Sequence, residues 1–412
     1  MAEGDNPQIC GNCGNPIPAG ATQCPKCDSR LSLILHSRET VLSLTVLIVI
    51  VLFSLTGFIT ADYHRKLTSL GKKWFEAGEQ QLKSGNAAAA LVNFHTALVY
   101  SPEDVQIQFQ LAQALAAEGR NSEARAYLLE LQARSPSDAP INLALARLSA
   151  GAGSEADAVR YYHGAIYGVW PSEAEANRLN TRLELCRFLI ARGDTSIAEA
   201  ELIALASEIP ERNGASLHAQ AGELFLSIGN AARALSEFRS ALTASRPPKD
   251  ALRGAGLAAY QLGEFQQAER YLDRLRRLGN NDADISRALD ISRMVTSADP
   301  YARELSEAER RDRARRDFAQ AFGRLRSCAQ SRGTDLFAKD APQSEMATLG
   351  RQAKALEPQL TDENLRRHPG QIDVAMNLVF VTEDVVTKEC GAPQGMDEAL
   401  ALIGKFHRGG ER

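Results

Sequence analysis

Self-similarity at a period of 34 residues constrains this 412-residue chain more than any other feature. Blocks that begin at Gly71, Val105, Ala139, Leu179, Ala215 and Lys249 align as six copies. Their fifteenth residue is always glycine: Gly85, Gly119, Gly153, Gly193, Gly229 and Gly263. Their twentieth is always alanine: Ala90, Ala124, Ala158, Ala198, Ala234 and Ala268. The eighth is small (Gly78, Ala112, Ala146, Cys186, Gly222, Gly256) and the twenty-fourth bulky (Phe94, Leu128, Tyr162, Leu202, Phe238, Leu272). Small residues at two places let two antiparallel helices approach closely, and the glycine between them ends the first helix in a left-handed cap. The bulky residue is expected to fill the space between neighbouring pairs. Pro102, Pro136 and Pro210 close their copies, where proline cannot continue a helix. Insertions at 173–178 and 213–214 separate copies without breaking the phase.

This pattern resembles the tetratricopeptide repeat over residues 71–282. The resemblance implies an all-α solenoid of about six helix pairs and a groove lined by the first helix of each pair. That groove would take a protein or peptide partner. The fifth and ninth places of each copy are expected to face it. Phe75 and Phe109, followed by Arg147 and Arg187, would suit an amphipathic segment of acidic character; the alternative is that the aromatics pack between repeats and the arginines are solvated. The lysine and asparagine set with which the family clamps a C-terminal carboxylate is missing. Cys186 occupies a small-residue packing place, which makes it a buried structural thiol.

Ahead of the repeats, Cys10, Cys13, Cys24 and Cys27 form a C-x2-C-x10-C-x2-C pattern. That is the ligand spacing of a tetrahedral zinc site, with each pair on a tight turn. Residues 8–31 resemble the small zinc-ribbon heads of many bacterial membrane proteins, with Asp28 where the second pair usually has glycine. Four protein ligands leave no open position, so the resemblance implies structural Zn2+. Two local disulfides or a redox pair are the alternatives.

Val41 to Ala61 carries no charge. Its 21 residues would extend about 31 Å as a helix, enough for one membrane span, and the run lies too far into the chain for a cleavable signal. The basic residues flanking it are almost balanced, slightly favouring a cytosolic C-terminal side. Thiol chemistry argues the opposite, since zinc thiolates persist in a reducing compartment. The expectation is a single-pass protein of the bacterial inner membrane, N-terminus cytosolic and repeats outside.

Residues 283–412 read as capping helices and a helical extension. SRALDISRMV would cover the last repeat, and two further helices end near Cys328 and Cys390. These two cysteines are expected to pair, closing a loop of about sixty residues worth roughly 4 kcal/mol of chain entropy; two unrelated buried thiols are the alternative. The charge run from Glu309 to Asp317 is expected to be a solvated face with i,i+4 pairs.

No P-loop, nucleophile elbow, zincin or dinucleotide motif is present, and the histidines never cluster. Carboxylates are scattered, so none is expected to titrate high. A net charge of −4 offers nucleic acid no general field, and no small-molecule substrate is implied. The sequence therefore points away from an enzyme and toward a membrane-anchored interaction scaffold in an envelope or secretion assembly. Two alternatives stand beside it. One is a transmembrane regulatory adaptor whose zinc head binds a cytosolic partner. The other resembles bacterial assembly factors with cytosolic repeats that regulate lipid synthesis or proteolysis, although there the ribbon and repeats share one side.

Overall fold

The computed structural model describes residues 8–19, 21–29, 32–280, 282–337 and 344–409. Gly20, Arg30 and Leu31 of the expected head, Asn281 of the repeats and residues 338–343 and 410–412 of the extension lie outside them. The chain divides into two compact units, residues 1–136 with 147–152, and residues 137–146 with 153–412.

In the first unit two short strands, β1 (Gln8–Ile9) and β2 (Pro16–Ile17), pair antiparallel in the head. Helix α1 then runs without a break from Ser32 to Lys83. The uncharged stretch and the first helix of the first repeat are thus one element of 52 residues. No proline or capping glycine interrupts it, because Gly57, Gly71 and Gly78 are all helical. From Val41 to Ala61 every side chain is exposed. Helix α2 (Ala87–Tyr100) returns along the end of α1, and α3 (Val105–Ala117) with α4 (Asn121–Arg134) forms the next pair.

The following pairs are α5 (Ala139–Gly151) with α6 (Glu155–Ile166), α7 (Ala174–Arg192) with α8 (Thr195–Glu208), α9 (Ala215–Ser227) with α10 (Ala231–Leu242), and α11 (Lys249–Gln261) with α12 (Phe265–Arg277). This is a tetratricopeptide-repeat solenoid. The residues inserted before Leu179 do not form a loop; they lengthen α7 at its start. The turn glycines take left-handed conformations, as at Gly193 (φ 89°), where the N–H of Asp194 donates to the Leu189 carbonyl at 3.0 Å.

Small and bulky places compensate within one helix pair. A Cβ on Gly78 would lie 2.5 Å from the Phe94 ring, and one on Gly256 would lie 2.3 Å from Leu272. The bulky residue therefore packs first against the eighth place of its own copy, not only between pairs. Phe238 does both: it sits against Gly222 of its own pair and against Gly254 of the next.

Helix α13 (Ala283–Ala298) closes the last pair, with Ile285 and Leu289 in one buried cluster with Leu252, Leu272 and Leu275. The extension holds α14 (Glu307–Ser331), α15 (Glu345–Leu356), the short α16 (Asp362–Arg367), α17 (Gln371–Cys390) and α18 (Met396–Gly409). Their core is continuous with α12 and α13: Phe265 meets Phe406 edge-on, ring centroids 5.6 Å apart. The expected pairs Glu309–Arg313 and Asp312–Arg316 are present at 2.9 and 3.1 Å. A fully solvated face is not what forms, however. Arg311 is buried beside Asp362, Arg313 donates to the carbonyls of Thr296 and Asp299, and Asp317 is buried.

Candidate metal centre and partner-binding faces

Each Cys-x-x-Cys pair of the head sits on the same backbone device. The N–H of Gly14 donates to the Cys10 carbonyl at 2.8 Å, and the N–H of Asp28 donates to the Cys24 carbonyl at 2.9 Å. Both turns then need a left-handed residue: Gly14 has φ 69° and Asp28 φ 58°. Aspartate is one of the few side chains that tolerate this region, so it can replace glycine without disturbing the ligands. The turns bring the four sulfurs within 4.8 Å of one another. Two of the separations are Cys10 to Cys27, 3.6 Å, and Cys13 to Cys24, 3.7 Å. A tetrahedron with Zn–S bonds of about 2.3 Å has edges of about 3.8 Å, so the donor set fits that ion. The pairs are crossed, each short contact joining one knuckle to the other.

Cysteine spacing does not single out Ser29, yet its hydroxyl lies 3.1 Å from the Cys27 sulfur and 3.4 Å from that of Cys10. Together with the backbone N–H groups of Asn12 and Cys13, it lowers the Cys10 thiol to about 6. Ser29 likewise lowers Cys27. The N–H of Asn15 pulls Cys13 down, but hydrogen bonding with the neighbouring cysteines, Cys27 foremost, and burial outweigh it and push that thiol up to about 11. Without a cation, then, these groups do not all ionise together. Only its place two residues beyond the last cysteine marks Ser29 in the sequence.

The candidate groove residues divide between the two units. In the first, Phe75 is half-buried, its ring centroid 5.9 Å from that of Phe94 in its own copy; Phe109 is half-buried and Arg147 exposed. In the second, Arg187 is exposed and donates to Gln220 at 2.7 Å. Not every fifth place faces a groove: Leu183 and Ala219 are buried in the repeat core. Cys186 is fully buried, and burial pushes its thiol up to about 12, which leaves it inert.

In the extension Cys328 and Cys390 form a disulfide with Cα atoms 5.9 Å apart, tying the last turns of α14 and α17. One helical turn earlier on α14, Arg324 pairs with the fully buried Glu383 of α17 and donates to the Gly391 carbonyl at 3.1 Å. The same helix ends are thus held twice. The expectation that no carboxyl titrates high does not hold. Burial pushes Asp317 up to about 8, with Asp299 adding to the rise, and Asp299 is itself raised by burial. Charged neighbours on the same helix mask the burial of Asp317 in the sequence.

Tetratricopeptide-repeat models match residues 81–148 and 219–283. Among curated proteins, the TPR repeat-containing thioredoxin TTL4 of Arabidopsis thaliana is 34% identical over 130 residues. The match covers 31% of this chain and spans 19% of that protein's length. Among solved structures, pilF of Pseudomonas aeruginosa aligns at 14% identity and TM-score 0.40, over 54% of this chain and 97% of its own. PilW, a type IV pilus biogenesis factor, aligns at 16% identity and TM-score 0.39, over 53% and 97%. A thermophilic TPR protein of Thermus thermophilus aligns at 20% identity and TM-score 0.31, over 46% and 98%.

Proposed function

We propose that this chain is a membrane-anchored protein–protein interaction scaffold, with a zinc-bound head on one side of a single span and the repeats and extension on the other. The observation that carries it is α1, in which an exposed, uncharged stretch of membrane-crossing length continues directly into the first repeat helix. A flexible linker would let the repeats wander, whereas a continuous helix fixes their first pair at the bilayer. Tethering in this way raises the effective concentration of partners already at the membrane. Cys10, Cys13, Cys24 and Cys27 would hold Zn2+, which supplies the cross-link that a head with so small a core lacks. The repeats would supply partner-binding contacts, with Phe75, Phe109 and Arg147 as candidates in the first unit and Arg187 in the second, and an envelope or secretion assembly as the setting.

The test is membrane extraction. The full chain should stay in the pellet after alkaline carbonate washing, and a chain lacking residues 41–61 should be released while keeping its helical circular dichroism. Release of the intact protein by carbonate would reject the anchor. Charge reversal at Arg147 and Arg187 that leaves every co-purified partner bound would reject those contacts. One observation favours the adaptor as a second reading: Ile9 on the head is 69% exposed, an apolar side chain next to a metal ligand. Full activity after removal of residues 1–30 would reject it.

A further inference from the structure

Helices α15 and α17 pack side by side and leave between them a groove of about 600 Å³. Its walls are two stripes at helical spacing: Leu349, Gln352 and Gln359 from α15 and the turn after it, and Val374, Leu378 and Val381 from α17. Val374 is 51% exposed and Val381 44%, although α17 otherwise buries its apolar residues in the bundle. Among the described residues ten line the groove; none of these is ionisable, and four are primary amides. Charges begin one position outside each stripe, with exposed Arg351 on the α15 side and exposed Asp373 on the α17 side.

We propose that this groove binds one amphipathic helix of a partner protein, at a site separate from the repeats. Two walls of i, i+3/i+4, i+7 periodicity fit a third helix laid between them. An uncharged lining selects the face of that helix: a buried lysine or glutamate would find no counter-charge there, and burying it unpaired is costly. Aliphatic and amide side chains meet both halves of the lining. The edges add direction. The partner helix carries acidic residues on the edge facing Arg351 and basic residues on the edge facing Asp373, so the opposite arrangement is disfavoured.

The probe is a fluorescein-labelled helical peptide of about four turns, with a Leu/Ala/Gln face, glutamates along one edge and lysines along the other. It is titrated by fluorescence polarisation against the full chain in lipid nanodiscs. Saturable binding is expected, weakened tenfold or more by Val374→Glu with Val381→Glu and by Asn377→Arg. These side chains are exposed, so the fold should survive, as circular dichroism would verify. A peptide with one central lysine on its face should bind tenfold more weakly. Exchanging the peptide's edge charges should weaken binding to the native chain and restore it on Arg351→Glu with Asp373→Lys. No saturable binding, or binding lost with Arg187→Glu but untouched by the valine substitutions, would overturn the proposal. So would a chain whose sedimenting mass falls to the monomer when both valines are replaced, which would assign the face to a second copy.

Discussion

At the scale of single residues, what decides stability is whether a side chain has room or a partner. Gly254 has no room to give: a Cβ there would lie 2.0 Å from the Phe238 ring, which is itself fully buried between two helix pairs. Gly254→Ala is therefore expected to cost about 1–3 kcal/mol by overpacking. Gly323, where a Cβ meets nothing within 4 Å on a helix, is the matched control and should gain slightly as alanine; thermal melts of the two variants make the comparison. At Asp317 the deficit is a partner for one oxygen, since its Oδ2 is buried without a hydrogen bond. Its folded pKa of about 8 lies far above the ordinary carboxyl value, so the native state keeps a proton that the unfolded chain releases. Stability from this group is present below about pH 4 and is lost progressively as pH rises to about 8. Asp317→Asn is expected to stabilise the protein by about 2 kcal/mol at pH 8 and far less at pH 5. Equal shifts in melting temperature at the two pH values would contradict this.

At the scale of elements, two cross-links do what packing alone cannot. Among the described residues the head has a core of little more than Cys10, Ile17 and Cys24, so under the proposed function its fold would depend on the bound metal. Chelation, or Cys24→Ser, is expected to remove about one zinc per chain by elemental analysis and to leave the helical signal of the repeats unchanged. In the extension, the Cys328–Cys390 bond closes a loop across 62 positions. Its reduction, or Cys390→Ala, is expected to cost about 4 kcal/mol in the chain-entropy account. Arg324 still holds the same helix ends, so the bundle should stay folded with a lower melting temperature. Loss of most helicity on reduction would show that Arg324 does not suffice. Much of this was legible in the sequence, because cysteine spacing and the repeat's small and bulky places are local patterns. The groove between α15 and α17, the burial of Asp317 and the Arg324–Glu383 pair were not. Each depends on which face of a helix another helix covers, and neither periodicity nor charge counting identifies that neighbour. The uncharged positions around α17 were a faint signal, since a helix apolar on more than one face has more than one surface to cover.

At the scale of the whole molecule, the cysteines divide the chain more sharply than its charges do. Four free thiols meet in the head, and the disulfide lies beyond the apolar stretch of α1. Thiolate clusters endure where thiols are kept reduced, and disulfides where they are oxidised. In the proposed topology, one span between the two groups would satisfy both conditions with the N-terminus in the cytosol and the repeats outside. The flanking basic residues slightly favour the reverse, but so small an imbalance orients a span weakly, whereas a thiol in the wrong compartment changes its chemistry outright. A same-side arrangement would instead leave either the zinc thiols exposed to oxidation or the disulfide exposed to reduction. Alkaline phosphatase, active only outside the cytosol, is therefore expected to be active when fused after residue 409 and inactive when fused before residue 8. Protease added to spheroplasts should digest the repeats and spare the head. Digestion of the head with sparing of the repeats would invert the topology, and would then require the Cys328–Cys390 bond to be absent in cells, which gel shifts with an alkylating reagent read directly.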